Sequence, residues 1–366
     1  MYLSYMKKPV SIFRVIFVLM SVCALQTASA QSSVSGLIKS GPEDAQKLAE
    51  AYLNPLFKGF GIGLNSGWNY TANAKSTGRF EFRISGTMAF IPDADKSFNV
   101  SKLGLSNSLQ LVNSENYIAP TAAGSKNPGP AMKVLDDDGN EMETFNLPKG
   151  ANFNFVPAAQ LQGTIGLPRG IDLTLRGMPQ VNMGDDAGRL SMIGGGIKVE
   201  LLPLITGSTL SKVLPFDLAA AFGYTQLNYE LGLDVQPPAG AIHDSSDGKN
   251  EDFSNQKIDA KLSAISTELI LSKKLAFFTP FVSAGYNSSN TTAVLKGNYP
   301  IAAKLENGTT YYTIFSDPVN IDKKDINGFR GNAGFQLNLA AFRLFAAYSL
   351  GEYNAVNAGI GIGVGK

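Results

Sequence analysis

The sequence predicts an all-β protein: a closed antiparallel transmembrane β-barrel of about 12 strands, or 14 if the last long loop adds a pair. Three observations predict it. From Asn327 onward the chain alternates with period two: Phe329, Phe335, Leu337 and Leu339 fall on one face, and Arg330, Asn332, Gln336 and Asn338 on the other. Phe342, Leu344, Tyr348 and Leu350, then Val356, Ile360 and Ile362, repeat the scheme in two further segments. Second, beyond the first thirty residues no apolar run is long enough for a membrane-spanning helix. Third, short turns (167–170, 273–274, 340–341) alternate with long polar loops, as in barrels with one short-turn end and one long-loop end.

Residues 1–30 read as an export signal. Lys7, Lys8 and Arg14 precede the apolar run Val15 to Leu25, and Ala28-Ser29-Ala30 is a small-residue cleavage site. Cleavage near Ala30 implies export, and with the barrel it implies the outer membrane of a gram-negative bacterium. The remaining chain carries 28 basic and 30 acidic residues, which points to no nucleic-acid partner. Its only cysteine, Cys23, lies in the signal, so disulfides and thiolate metal sites are excluded.

Residues 31–58 form a polar lead and a short helix. Pro42, Glu43 and Asp44 suit a first helical turn, and Ala45, Leu48, Ala49, Tyr52 and Leu53 share one face until Pro55. This helix packs at the barrel's end or plugs it. The barrel is expected over 59–366. Gly59 to Tyr70 reads as its first strand, with Phe60, Ile62 and Leu64 alternating with small residues. Arg79 to Ile91 follows, with Phe80, Phe82, Ile84, Met88 and Phe90 opposite Glu81, Arg83, Ser85 and Thr87.

Three excursions interrupt the wall, at 92–152, 231–257 and 288–327. The first is punctuated by Pro92, Pro120, Pro128, Pro130 and Pro148 and is too long for a featureless link. Leu103, Leu105, Leu109 and Leu111 suggest a hidden wall strand there, which would make the count even. Wall strands resume at Phe155–Leu167, from Ile171, around Ile193–Leu201 and at Phe216–Tyr224. Ile258–Ser272 changes face near Ile265, as at a bulge. Phe278–Tyr286 contains Pro280, which is normally an edge signal.

Little in the chain resembles an active site, so no catalytic residue, cofactor or metal is assigned. His243 lies beside Asp244, Ser245, Ser246 and Asp247, but adjacent residues on a polar loop lack the rigid scaffold a triad needs. Asp136-Asp137-Asp138-Gly139-Asn140 hints at calcium. Aligning Gly139 to the sixth loop position puts Val134 and Phe145 where acids are required, so a hairpin turn is expected instead. Gly194-Gly195-Gly196 lacks the residues of a phosphate loop. If the apolar faces meet lipid, Glu81, Arg83, Asp172, Arg176, Lys198, Glu200 and Arg330 line the lumen. Their mixed signs suit either a braced interior or a narrow aqueous path.

Two segments, Tyr52-Leu53-Asn54-Pro55-Leu56 running on to Gly67-Trp68, and Phe90-Ile91-Pro92-Asp93-Ala94-Asp95-Lys96-Ser97-Phe98, with Pro120-Thr121, resemble a group of uncharacterised exported proteins from Bacteroidota that are taken to be outer-membrane barrels. The resemblance implies a barrel and no catalytic residue. The helical lead before a barrel is distantly similar, in architecture alone, to long-chain fatty-acid channels. The expected role is a conduit for a small or hydrophobic solute, or a structural barrel, with outer-membrane lipid as its surroundings. A barrel-embedded lipid hydrolase built on His243 and a soluble secreted β-sandwich binding module are the alternatives.

Overall fold

The computed structural model describes residues 41–366 apart from 137, 185–187, 211–213, 238, 307, 308 and 364–366. The predicted signal lies outside the described residues. Ten strands close a single sheet: β1 (Phe80–Phe90), β2 (Phe155–Leu167), β3 (Ile171–Asn182), β4 (Arg189–Glu200), β5 (Asp217–Gly232), β6 (Lys257–Ser272), β7 (Phe278–Lys296), β8 (Val319–Leu339), β9 (Phe342–Leu350) and β10 (Ala355–Gly363). Each pairs antiparallel with its sequence neighbour. The ring closes through β1 and β10, from Glu81↔Gly363 to Ala89↔Ala355.

The outer face is apolar. Phe82, Leu175, Ile193, Phe329, Leu350, Ile360 and Ile362 stand exposed, with Ile360 at 55% and Ile362 at 52%. Phe335, Ile360 and Ile362 therefore do not pack into a dry centre beneath a second sheet, which overturns the soluble-sandwich alternative. The alternating polar residues point inward, as closure of a barrel around a polar interior requires.

The count of ten corrects the expected 12 or 14. Ten of the eleven segments read as strands are wall strands; the exception is Gly59–Tyr70. Helix α1 runs Pro42–Asn65, through Pro55, and the chain then continues without regular structure to Arg79. The alternating glycines of this stretch have a helical explanation. A Cβ at Gly59 would collide with Val156, at Gly61 with Ser289 and at Gly63 with Ala158, so the helix touches the wall through its backbone. Tertiary packing here overrides the poor helix propensity of glycine. The barrel thus begins at Phe80, not at residue 59.

No wall strand lies in the first excursion. Leu109–Leu111 pairs with Ala131–Leu135, which pairs with Glu141–Asn146, in a separate three-stranded sheet. Leu109, Met132, Val134 and Leu147 pack with Leu48 of α1, so the excursion is a cap on the helix. The acidic tract is its hairpin turn. Asp136 accepts from the amides of Asn140 and Asp138 and from the Asn140 side chain. These bonds, the Asn140 amide foremost, hold its carboxyl below the usual range and use the lone pairs a calcium ion would need.

Two strand readings also change. β6 has no bulge: even-numbered residues face inward along its whole length, and its registers are unbroken. What changes near Ile265 is the interior, from Ala260, Leu262 and Ala264 to Ser266 and Glu268. Pro280 sits inside the wall, at the tight-turn end. Its carbonyl accepts from Lys273 at 3.2 Å, so the missing N–H faces the turn and interrupts no ladder with β8.

Candidate functional site: a lumen filled by the chain's own N-terminal segment

Residues 42–79 run through the barrel from its long-loop end to its short-turn end. Helix α1 contacts β1, β2, β5, β6, β7 and β8. Asp44 accepts from the amide and hydroxyl of Ser106, and Lys47 donates to the Gly104 carbonyl, which fixes the helix start to the cap. At the other mouth, Gly78 donates to the Gly166 carbonyl and Gly166 to the Arg79 carbonyl, which delivers the chain directly into β1.

The interior is divided. Around α1, in the long-loop half, the inward side chains are apolar: Met178, Met192, Leu227, Leu262, Leu295 and Ile321 pack with Phe57 and Leu64. Barrel lumens are commonly polar, so this apolar packing is unusual. In the short-turn half the plug is extended, and charged wall residues hold its backbone. Arg176 donates to the carbonyls of Leu64 (2.8 Å) and Ser66 (2.9 Å) and to Gln162. Its guanidinium lies 3.8 Å from the Trp68 ring centroid. The opposite side of the indole fills a hollow at Gly196 and Gly223, paired across β4 and β5, where a Cβ would strike the ring.

Each predicted lumen residue can now be placed. Arg83 pairs with Glu81 at 3.0 Å and donates to the Trp68 carbonyl. Lys198 pairs with Asp172 at 3.1 Å and donates to the carbonyls of Thr71 and Asn73. Asp172 accepts from the Lys75 amide. Arg330 donates to the hydroxyls of Ser66 and Ser349. These six are buried; Glu200 is half-buried at the rim and accepts from the Ala74 amide. The arrangement pairs opposite charges on the wall and spends the remaining donors on plug carbonyls, which is how buried charge is tolerated.

Sequence reasoning missed the plug's own contribution. Trp68 and Tyr70 were read as strand residues, and Lys75 was not singled out, although it lies 3.4 Å from Glu81. Gln160 and Gln162 were visible on the polar face of β2; Gln160 donates to the Gly63 carbonyl at 2.6 Å.

His243 has a different role from the one a hydrolase requires. Its Nε2 lies 3.0 Å from Asp247, its Nδ1 lies 3.2 Å from Glu251, and its ring stacks on Tyr312. Both nitrogens are engaged by carboxylates, so neither is available to a serine, and the catalytic alternative loses its base. The cluster latches the 233–256 loop to the hairpin Asn298–Glu306 and Thr309–Ser316. Burial would raise the Asp247 carboxyl, but the Ile314 and Lys249 amides and His243 outweigh it and hold it at about 2. A depressed pKa stabilises above the unfolded value and is lost as pH falls through the folded one. The latch is therefore expected to hold at neutral pH and open between the usual carboxylate range and about 2. Asp247→Asn should open it at pH 7, read as faster proteolysis within 233–256; an unchanged cleavage rate would remove the latch.

A closed antiparallel barrel, apolar outside and charged within, defines a β-barrel of the outer-membrane type. The chain belongs to a family of unknown function, DUF6588, whose description matches residues 6–364. No curated protein matches it. Among solved structures it is similar to the attachment invasion locus protein Ail of Yersinia pestis (8% identity, TM-score 0.25, covering 79% of this chain and 98% of that one). It is also similar to the outer membrane protease OmpT of Escherichia coli (11%, 0.30, 82% and 100%). A third is the translocator domain of the autotransporter NalP of Neisseria meningitidis (6%, 0.31, 80% and 90%).

Proposed function

We propose that this barrel is a conduit for small apolar compounds in the outer membrane, closed at rest by residues 42–79. The observation that carries the reading is a seam in the wall. Pairing of β2 with β3 runs from Leu167↔Ile171 to Gln162↔Arg176 and stops, although β2 continues to Phe155 and β3 to Asn182. Gly166 turns its amide to β1, so odd-numbered residues of β2 face β3, and Pro157 presents no donor to the seam. Across it, β3 breaks register between Met178 and Val181, at Pro179.

Unpaired backbone facing hydrocarbon is expensive, and barrels normally close against it. Here the seam lies level with the outward-facing Met88, which pairs with Pro157, and behind it lies the apolar packing around α1. Val156 and Ala158 on one edge and Met178 on the other sit against the helix. An apolar molecule that displaced part of that packing and left through the seam would stay out of water throughout.

The paired charges of the short-turn half favour a second reading, a permanently sealed structural barrel. One experiment separates the two. Uptake of the apolar fluorophore N-phenylnaphthylamine is followed in cells with and without the protein, and in Ala159→Cys/Pro179→Cys cells treated with a short bis-maleimide. The conduit predicts faster uptake with the protein and loss of the gain on cross-linking. Equal uptake with and without the protein would leave the sealed barrel.

A further inference from the structure

The plug does not fill the short-turn half evenly. Its extended part lies against β3 and β4, held by Asp172, Lys198 and Glu200. On the side of β6 to β10, space remains between plug and wall in two polar chambers. The lower one, about 100 Å³, opens at the short-turn mouth. The upper one, about 20 Å³ and so room for about one water-sized particle, lies deeper, between Asn65–Tyr70 and Arg330. We propose that these chambers form an anion-accepting side path, divided by an aromatic constriction of Tyr70, Phe281 and Phe345.

The constriction is visible in the inward faces of two strands. Along β7 the inward residues run Thr279, Phe281, Ser283, Gly285, Asn287, Ser289 and Thr291 before the apolar Ala293 and Leu295, and Phe281 is the one aromatic among them. Along β9 they are Arg343, Phe345, Ala347 and Ser349, and again one aromatic stands among small or polar neighbours. Tyr70 from the plug meets both rings, stacked on Phe345 at 4.0 Å and edge-on to Phe281 at 6.0 Å. Phe281 and Tyr70 border the upper chamber, while Thr279 and Arg343 border the lower. With Ala72, Ala219, Ala221 and Ile270 these rings form an apolar belt between the two chambers, and such a belt gates by excluding water.

Charge sets the class of solute. Lys75, Arg79, Lys274 and Arg343 line the lower chamber against one carboxylate, Glu81. A cleft of one sign with low-dielectric walls concentrates the opposite ion. In the upper chamber, Glu268 already accepts from Asn69 and Ser283, whereas Nε of the buried Arg330 finds no acceptor among the described residues. The satisfied acid and unsatisfied cation favour a small anion there over a cation. The Arg83 guanidinium, 5.5 Å from the Tyr70 ring and 5.9 Å from the Phe345 ring, places a further cation at the constriction.

The test uses the full-length protein in lipid, whose one cysteine, Cys23, lies ahead of the described residues. A Cys23→Ser background receives Asn338→Cys in the lower chamber or Ala347→Cys in the upper, with heat-modifiable migration confirming that each variant is folded. Anionic methanethiosulfonate ethylsulfonate is expected to modify Asn338→Cys about tenfold faster than its cationic ammonium analogue. Lys274→Gln with Arg343→Gln should abolish that preference. Ala347→Cys should be inert until Phe345→Ala is added, and then react preferentially with the anionic reagent. Equal or cation-favouring rates at Asn338→Cys would overturn the anion assignment. Reaction of Ala347→Cys with Phe345 intact, or none after Phe345→Ala, would overturn the gate.

Discussion

Replacing Arg176 by alanine is expected to loosen the plug more than any other single truncation in the lumen. The guanidinium is 1% exposed, and its partners are neutral: two plug carbonyls, Gln162 and the face of Trp68. Truncation leaves the Leu64 and Ser66 carbonyls without that donor, and each buried unsatisfied group costs about 1–3 kcal/mol. It also opens a cavity beside the indole. Against these losses stands the relief of a buried charge with no carboxylate beside it. The net effect is a destabilisation of about 3 kcal/mol, within the range of broken buried networks. Denaturant unfolding in detergent, read by Trp68 fluorescence, measures it. Arg176→Lys keeps the charge but cannot reach both carbonyls in one plane, so it should fall between wild type and Arg176→Ala. A variant as stable as wild type would show that the plug is held elsewhere.

Deleting residues 42–76 is expected to turn a barrel that is electrically silent into one that conducts steadily in planar bilayers. The wall should survive the loss, because Asp172 is paired on the wall itself with Lys198 at 3.1 Å and Glu81 with Arg83 at 3.0 Å, while Arg176 and Arg330 would be solvated. Once wet, those pairs become ordinary solvated ion pairs. Breaking one of them should add to the effect, so Lys198→Met in the deletion background would favour cations by leaving Asp172 unpaired. If the folded deletion variant stays silent at all voltages, the 42–79 segment is not what closes the lumen.

The wall was legible in the sequence because its signal is repeated and physical. Phe80 to Phe90 alternate with Glu81 to Thr87 as they do in the structure, and the seven charges assigned to the interior all meet the plug or one another there. The N-terminal helix was legible as a plug, but its extension past residue 58 was not, for an equally physical reason. Phe60, Ile62 and Leu64 alternating with Gly59, Gly61 and Gly63 satisfies a strand's period, while Gly59 and Gly63, four apart, give a helix a flat side against Val156 and Ala158, and Gly61 a second approach to Ser289. Sequence alone carries no information about Val156 or Ala158, the neighbours that decide between the two. The reading of β6 failed in a related way. A switch from apolar to polar in the lumen looks like a change of face unless the register is known.

The path of residues 42–79 bears on how the molecule is made. They leave the export machinery before any wall strand, yet they finish enclosed by a ring whose last joint is between β1 and β10. The helix start is fastened to the cap that follows β1, and the segment's far end runs directly into β1. Gathering the sheet around a core already in position, with the β1–β10 seal last, encloses the segment without threading it through a finished ring.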